Sequence, residues 1–369
     1  MADYYVDPSL GTDTGAGTLG DPWGYTGNEI QKALDNITQG STGDAIHVKD
    51  TGTVSFGGTN LSFATYGTTT EDKPLTISGY TSAAWDGGRG VIDLGGASTF
   101  VASTVDGIVF ADLDISGGTG TYQILADQYT LVFRCKINGG AATGGIAIGA
   151  LSNAAGNYVY NLSGVGIEAG GASSFASRNY VIQASSSNGI NITGAAHGNL
   201  IVISNTGSFC RAIFASGNAI VVINNSVYST VAATAGAISL GSGSEGCVVL
   251  NNYVEGYSGS GGRAYDLVSG SVATLFSGNR WYNSTTGGPT AGTVCVSIDN
   301  AATSASGFTN AGSADYTPTS ELQGAGFPSG FLGLSGNAQS IDIGAIQKVV
   351  SAGGGLSFIN ARRNSLIGR

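Results

Sequence analysis

Short apolar runs alternate with polar residues along most of the chain and recur at a nearly constant interval. One recurring position carries an apolar residue or an asparagine, and a second carries isoleucine, or tyrosine once. Both positions return at an interval of roughly 20 to 27 residues, which is within the range of known repeat proteins. The first set is Leu113, Cys135, Asn157, Asn179, Asn205, Asn225, Asn252 and Asn279, and the second is Ile146, Ile167, Ile190, Ile213, Ile238 and Tyr265. Because the intervals of the two sets change together along the chain, both sets indicate one structural repeat.

The length of this repeat excludes most repeat architectures. A leucine-rich repeat needs a leucine framework that the chain lacks, and a propeller blade needs about 40 residues or more. The architecture that remains is a coil in which each turn adds two or three short strands to long parallel sheets. The predicted fold is therefore all-β, a single-stranded right-handed parallel β-helix of about ten or eleven rungs. Asparagines at the first position are predicted to hydrogen-bond from rung to rung.

Both ends of such a rod need a cap, since they would otherwise expose core residues and unpaired strands. The pattern over 27–38 predicts an amphipathic helix with Ile30, Ala33, Leu34 and Ile37 on one face. The predicted organisation is an N-terminal cap over 1–42, β-helix rungs over 43–299, an irregular C-terminal cap over 300–347, and a Gly-rich linker with a basic tail over 348–369.

Composition and charge exclude several classes of function. The net charge of −10 argues against a nucleic-acid partner, because phosphate binding needs clustered Lys and Arg. No apolar run approaches the length that a membrane-spanning helix needs, so no membrane insertion is expected. The first residues lack the basic and apolar regions of a signal peptide, which predicts synthesis in a host cytoplasm without signal-dependent export.

The residues that usually bind metals are sparse. The four cysteines form no CxxC pair, and the chain has only two histidines, so neither a metal site nor another cofactor is predicted. The three acids of the segment 7–21 lack the alternating spacing of a calcium loop, and an ordinary cap loop is expected there. These residues are Cys135, Cys210, Cys247, Cys295, His47, His197, Asp7, Asp13 and Asp21.

The two ends of the chain resemble one known group of proteins. The resemblance covers about residues 3–347 and is to the pectate-lyase-like β-helix superfamily. It implies the β-helix fold, but the superfamily includes lyases, hydrolases, phage spikes and non-catalytic surface proteins, so it does not choose an activity. The segments that carry it are Tyr4-Tyr5-Val6-Asp7, Gly11-Thr12-Asp13, Gly17-Thr18, Asp21-Pro22-Trp23, Ala33-Leu34, Gly43-Asp44-Ala45-Ile46-His47-Val48 and Asp342-Ile343-Gly344-Ala345-Ile346-Gln347.

One group of charged residues is a candidate catalytic cluster. Strand alternation turns Asp112 and Asp114 outward, and Arg134 and Lys136 occupy the same two positions one rung later. A polysaccharide lyase could use such acids and bases, whereas a surface charge ladder between neighbouring strands would use them only for stability. The paired-carboxylate motifs that the polygalacturonase kind of hydrolase needs are absent. The ladder is the favoured interpretation, and a lyase or depolymerase is the alternative.

An outward stripe of tyrosines is the candidate binding surface. Such a stripe suits packing between subunits, which would make the chain a homotrimer, or stacking on the sugar rings of a cell-surface polysaccharide. Simple cross-strand pairing is the third possibility. Its residues are Tyr158, Tyr160, Tyr180, Tyr228, Tyr253, Arg280 and Tyr282.

The C-terminal tail completes the functional hypothesis. Phe358, Ile359, Arg362 and Arg363 follow a glycine-rich stretch and suit a peptide that anchors the chain to other virion proteins, although a frayed tail is an alternative. The sequence therefore predicts a non-enzymatic bacteriophage virion protein, which is a β-helical tailspike, fibre or capsid decoration with a host-attachment surface that binds carbohydrate.

Overall fold

The computed structural model describes residues 2–12, 14–25, 27–63, 65–97, 99–100, 106–140, 144–204, 210–289 and 292–322. Within them the chain coils into three long parallel sheets joined by short turns. This confirms the predicted fold class, a right-handed parallel β-helix with very little helix. No helix among these residues is long and apolar enough to cross a bilayer.

The strands of each sheet follow one another along the rod. In the described residues, sheet 1 contains Ala2–Val6, Asp44–Lys49, Leu75–Tyr80, Ile108–Ala111, Leu131–Phe133, Asn153–Ala155, Phe175–Ser177, Ala195–His197, Val221–Ile223, Cys247–Leu250, Val272–Ser277 and Thr293–Ile298. Sheet 2 contains Thr53–Ser55, Gly90–Asp93, Leu113–Ser116, Lys136–Asn138, Tyr158–Tyr160, Tyr180–Gln183, Leu200–Ile203, Ser226–Ser229, Tyr253–Glu255, Arg280–Tyr282 and Ala301–Ala302. Sheet 3 contains Tyr122–Leu125, Gly144–Ile148, Ile167–Ala169, Ile190–Ile192, Ile213–Ala215, Gly236–Leu240 and Arg263–Leu267.

The core lies between the three sheets. At each inward strand position, every rung contributes one side chain to it. The predicted isoleucine column is present in sheet 3, where Ile146 pairs with Ile167 and the pairing continues strand by strand to Tyr265. These side chains are at most 2% exposed. Because each rung repeats the same inward positions, the apolar core is continuous along the rod.

A sharp turn joins sheet 1 to sheet 2 in every rung from residue 112 to residue 299. The turn residue takes a left-handed conformation, with φ between 53° and 66°. Only three of these nine residues are glycine, although glycine adopts that conformation most easily. Four of the other six are asparagine or aspartate, which accept this conformation more readily than most residues, and at Arg134 and Arg178 the flanking strands hold it. The nine are Asp112, Arg134, Gly156, Arg178, Gly198, Asn224, Asn251, Gly278 and Asp299.

The asparagine ladder follows directly after these turn residues. From Asn157 to Asn279, each ladder Nδ2 donates to the Oδ1 of the next asparagine over 2.9–3.1 Å, and that Oδ1 also accepts a backbone N–H. A donor left unpaired here would cost about 1–3 kcal/mol. The ladder consists of Asn157, Asn179, Asn199, Asn225, Asn252, Asn279 and Asn300.

One predicted member of the ladder was wrong. Asn199, which follows the turn residue Gly198, occupies the position that was assigned to Asn205. Asn205 itself lies outside the described residues. The sequence around Asn205 matches the repeat loosely, but the position is decided by the turn that must precede it. The same rule extends the ladder by one rung, to Asn300.

The N-terminal cap contains the predicted helix. It runs over Glu29–Asn36, and the Asn28 side chain caps it by accepting the Gln31 N–H over 3.0 Å. Its predicted apolar face is buried, with Ile30, Ala33 and Leu34 fully enclosed. The helix therefore covers the first rungs of the rod.

The chain folds back on itself after the last described rung. Phe308–Asn310 and Asp315–Pro318 form an antiparallel hairpin around a single 3₁₀ turn, Ala311–Ser313. This hairpin packs on the outer face of sheet 2, along the side of the rod. The remainder of the predicted cap, from residue 323, lies outside the described residues.

Candidate functional site

The predicted charge cluster is present as two ion pairs between neighbouring rungs. Arg134 pairs with Asp112, and the Lys136 Nζ lies 2.9 Å from the Asp114 Oδ2. Arg134 also lies over the Phe133 ring, with its guanidinium carbon 4.5 Å from the ring centroid. The hydrogen bond to Asp114 raises the pKa of Lys136, so the amine holds its proton more tightly than a free lysine. A lyase base must lose its proton, and this cluster therefore suits a surface charge ladder.

The predicted tyrosine stripe divides into two parts. In the first part, the Tyr158 ring stacks on Tyr160 at 4.8 Å and on Tyr180 at 5.2 Å, with interplanar angles of 14° and 16°. Lys136 lies 5.7 Å from the Tyr160 ring centroid. Since the rings cover one another's faces, they present mainly edges and hydroxyls to solvent. This arrangement supports cross-strand pairing better than stacking on sugar rings.

The second part of the stripe is covered by the hairpin. Tyr253 is fully buried, its ring lies 4.9 Å from Phe308, and its hydroxyl contacts Glu255 and the Gly307 N–H, each over 2.6 Å. Burial raises the pKa of Tyr253 far above its usual value. The ring centroid of Tyr228 lies 5.9 Å from the ring centroid of Tyr316 in the hairpin. The expectation of one exposed stripe fails here, because the chain itself supplies the partner surface.

The remaining predicted residues of the stripe lie beside the hairpin. Tyr282 is half-buried and packs against the same apolar patch, while Arg280 pairs with Asp299 over 3.0 Å. Phe358, Ile359, Arg362 and Arg363 of the predicted anchoring tail lie outside the described residues.

A polar surface on sheet 3, absent from the sequence-based predictions, runs along the rod. One outward position recurs on six consecutive strands, one residue after the isoleucine column, and most of its side chains are partly exposed. We call this surface the sheet-3 row, and it consists of Ala147, Glu168, Asn191, Phe214, Ser239 and Asp266. The isoleucine column was visible in the sequence, and reading the residue that follows each member would have found the row.

Side chains that lie two residues before the isoleucine column contact the sheet-3 row and orient it. The Tyr122 hydroxyl donates to Glu168, Asn188 Nδ2 donates to Asn191 Oδ1 over 2.8 Å, and Arg263 pairs with Asp266 over 3.0 Å. The guanidinium carbon of Arg211 lies 5.1 Å from the Phe214 ring centroid. Its buried Nε has no hydrogen-bond partner among the described residues. The surface thus presents amide, aromatic and charged groups in fixed orientations.

A serine, a histidine and an aspartate meet near the N-terminal end of sheet 1. His47 Nδ1 lies 2.7 Å from Ser78 Oγ, and His47 Nε2 lies 3.0 Å from Asp3 Oδ1. The serine is fully buried, whereas the Asp3 side chain is 47% exposed and Trp85 packs edge-on against His47. A nucleophilic serine needs the opposite arrangement, an accessible hydroxyl and an enclosed aspartate. This network satisfies buried polar groups and offers no catalytic site.

In the described part of the N-terminal loop, Asp7 is engaged by other side chains of the chain. The Asp7 carboxylate lies 2.8 Å from the Lys49 Nζ and 2.5 Å from the Ser9 Oγ, and these contacts lower the pKa of its carboxyl although burial opposes this. In the described part of the chain, no three His, Cys, Asp or Glu side chains are grouped closely enough to hold a metal ion. Asp13 lies outside the described residues.

Comparison with known proteins agrees with this fold. No family model and no curated protein matches the sequence. Pectate lyase Pel9A has a similar structure, with TM-score 0.53, 16% identity, and coverage of 95% of this chain and 97% of that one.

Two further solved structures match more weakly. An α-1,3-glucanase catalytic unit from Streptomyces thermodiastaticus strain HF3-3 has TM-score 0.47, 13% identity, and coverage of 80% of this chain and 68% of that one. The Dettilon tailspike protein has TM-score 0.36, 14% identity and the same two coverages, 80% and 68%. At these identities a likeness concerns the fold alone, and the chain shares the parallel β-helix fold of pectate-lyase-like proteins.

Proposed function

We propose that this chain is a non-enzymatic structural rod that binds an extended polysaccharide along the sheet-3 row. The observation that carries the proposal is the row itself, with five strand-to-strand steps that span about 24 Å at about 4.8 Å each. Amide, carboxylate and guanidinium groups donate to or accept from sugar hydroxyls, and Phe214 offers an aromatic surface. A linear array of such groups suits a linear polymer.

The row is already ordered before any ligand binds. Its side chains stand on short paired strands, and the contacts from Tyr122, Asn188 and Arg263 hold three of them. Ordering a free side chain on binding costs about 0.5–1.5 kcal/mol. A rigid row therefore loses less affinity to this cost than a loop would.

The distribution of carboxylates supports a non-enzymatic function. Glycoside hydrolysis uses two carboxyl groups roughly 5–9.5 Å apart. Glu168 and Asp266 of the row are separated by four strand steps, or about 19 Å. The two acids of the charge cluster are each paired with a basic side chain. Neither group supplies the acid and base that polysaccharide cleavage requires.

The place of the rod in a virion is part of the same proposal. A phage particle would attach the chain through the tail at 348–369 and present the rod to a host surface. What supports this part is the resemblance of the sequence to a superfamily that includes phage spikes, together with the basic composition of the tail. Mass spectrometry of purified particles tests it, and the absence of the chain from them would contradict it.

Binding to a panel of cell-surface polysaccharides, measured by affinity electrophoresis, tests the glycan-binding part. The variant Asn191→Ala with Phe214→Ala removes a hydrogen-bonding group and an aromatic surface, so we expect at least a tenfold weaker affinity for a bound polysaccharide. The matched control is Tyr158→Ala with Tyr160→Ala on sheet 2, which should leave affinity within about twofold. Loss of binding in the control alone would instead place the glycan on the tyrosines.

A polysaccharide lyase at the charge cluster is the competing function. The observation in its favour is that two acids and two bases do converge across one pair of rungs. Incubation of the wild-type chain with the polysaccharide that it binds, followed by detection of unsaturated products, separates the two functions. Product formation that is lost in Asp114→Asn with Arg134→Gln would establish the lyase and overturn the non-enzymatic proposal.

A further inference from the structure

The outer face of sheet 1 is apolar over most of its length. One outward position recurs on nine consecutive strands, and eight of its nine residues are apolar. None of the nine is buried, and the position spans about 38 Å at about 4.8 Å per strand. We call it the sheet-1 strip, and it consists of Val109, Leu131, Asn153, Phe175, Ala195, Val221, Val248, Leu275 and Val296.

Among the described residues, four of the seven large apolar side chains that are exposed lie on or beside this strip. Phe175 is 48% exposed and Val296 is 44% exposed, and Leu151 and Ile298 next to the strip are 52% and 45% exposed. On sheet 2 the equivalent apolar side chains, Leu200 and Val202, are only 4% and 5% exposed, since the hairpin covers them. Contiguous exposed apolar patches on soluble proteins usually mark contact surfaces.

We propose that the sheet-1 strip is the contact surface between copies of this chain. The chain carries a net charge of −10, so two copies repel one another wherever acids meet. The strip contains no Asp, Glu, Lys or Arg, and the next outward position along the same strands contains none either. That second position consists of Ala111, Phe133, Ala155, Ser177, His197, Ile223, Leu250, Ser277 and Ile298.

The absence of charge on the strip favours a second copy over a charged partner. A strongly basic or acidic protein would find no opposite charge there to pair with, whereas another copy of the rod presents the same apolar surface. Both copies also carry the same strand repeat of about 4.8 Å, which lets side chains of one strip fit between those of the other. Two acidic rods can therefore approach along this face without placing carboxylates in contact.

The size of the strip is adequate for the core of such an interface. The strip is about 38 Å long, and the strands that cross it are about 12 Å long, so its projected area is roughly 460 Å². A specific interface buries about 800 Å² on each partner, of which an apolar core is surrounded by a polar rim. Exposed Arg178 and half-buried Asn224, both turn residues at the edge of sheet 1, are placed to form that rim.

The molecular mass of the full-length chain, measured by light scattering over a range of concentrations, tests the proposal. We expect the wild-type chain to be an oligomer, and Phe175→Glu with Val221→Glu to weaken association at least a hundredfold and yield monomers. Both positions face solvent in the isolated chain, so folding should persist, and circular dichroism verifies it. The matched control places the same two charges in exposed turns between sheets 2 and 3, as Ser186→Glu with Ala232→Glu, and should remain an oligomer.

A charge-reversal experiment keeps the test informative if the glutamate variant folds poorly. Phe175→Lys with Val221→Lys should also be monomeric alone, and mixing it with the glutamate variant should restore a mixed oligomer through opposite charges. A wild-type chain that is monomeric at every concentration would overturn the proposal. A folded glutamate variant that keeps the wild-type mass would overturn it equally.

Discussion

The outer faces of sheets 2 and 3 differ in character, although both sheets belong to the same β-helix. On sheet 2, tyrosines stack on one another and the hairpin encloses Tyr253, Leu200 and Val202. On sheet 3, four of the six side chains of the row are partly exposed, and they supply amide, carboxylate and aromatic groups. Both faces come from the same repeat and the same inward pattern. The difference shows that aromatic content alone does not identify a binding face, because the chain can use aromatic residues to bind itself.

Removal of one aromatic ring from each face should give the largest contrast in stability. Tyr253→Ala leaves a cavity under Phe308 and removes a partner from Glu255 and Gly307, so we expect a loss of about 3–5 kcal/mol in the free energy of unfolding. Phe214 on sheet 3 is half-buried, and Phe214→Ala should cost less than about 1.5 kcal/mol. Urea unfolding of both variants measures the difference. Equal losses would show that the hairpin does not enclose sheet 2 in solution.

The stability of the N-terminal cap should depend on pH in a way that the outer faces of sheets 2 and 3 do not. Burial raises the pKa of Glu29 to about 7 from 4.5, so its neutral form is favoured in the folded chain. The stability from this group is complete below pH 4.5 and is lost as the pH rises through about 7. We expect the wild-type chain to lose about 3 kcal/mol over that range relative to Glu29→Gln. Urea unfolding at several pH values measures it, and parallel pH profiles for the two chains would show that Glu29 titrates normally.

The smallest effect is expected from the charge ladder on sheet 2. The Asp114–Lys136 pair is partly exposed, so a double-mutant cycle with Asp114→Asn and Lys136→Met should give a coupling of about 0.2–1 kcal/mol. The coupling should shrink in high salt, because exposed charges are screened. A coupling well above this range that resists salt would point to a more constrained pair than a surface ladder provides.

The proposed contact between copies adds a third kind of face to the comparison. Sheet 1 is apolar like the covered part of sheet 2, but no described residue encloses it as the hairpin encloses Leu200. The tyrosine stripe was the interface predicted from the sequence, and part of it proved to be occupied by the chain itself. The surface that remains for a second copy lies on a neighbouring sheet.

Much of the fold could be predicted because each rung repeats a local rule. The isoleucine column, the buried face of the helix at Glu29–Asn36 and the outward pairing of Asp114 with Lys136 all follow from side-chain alternation and spacing. The ladder position of Asn199 was missed because the loose repeat around Asn205 looked similar. The left-handed turn at Gly198, a backbone feature, decided between the two.

The sequence by itself determined the coil, its period, its core and its charge balance, since these depend on residues close together or one rung apart. Only the tertiary structure decided which outward residues stay accessible. Phe308 and Tyr316 lie many residues away from Tyr180 and Tyr228, yet they cover the same patch. Strand alternation predicts that a side chain points outward. It does not predict whether a segment distant in sequence covers that side chain.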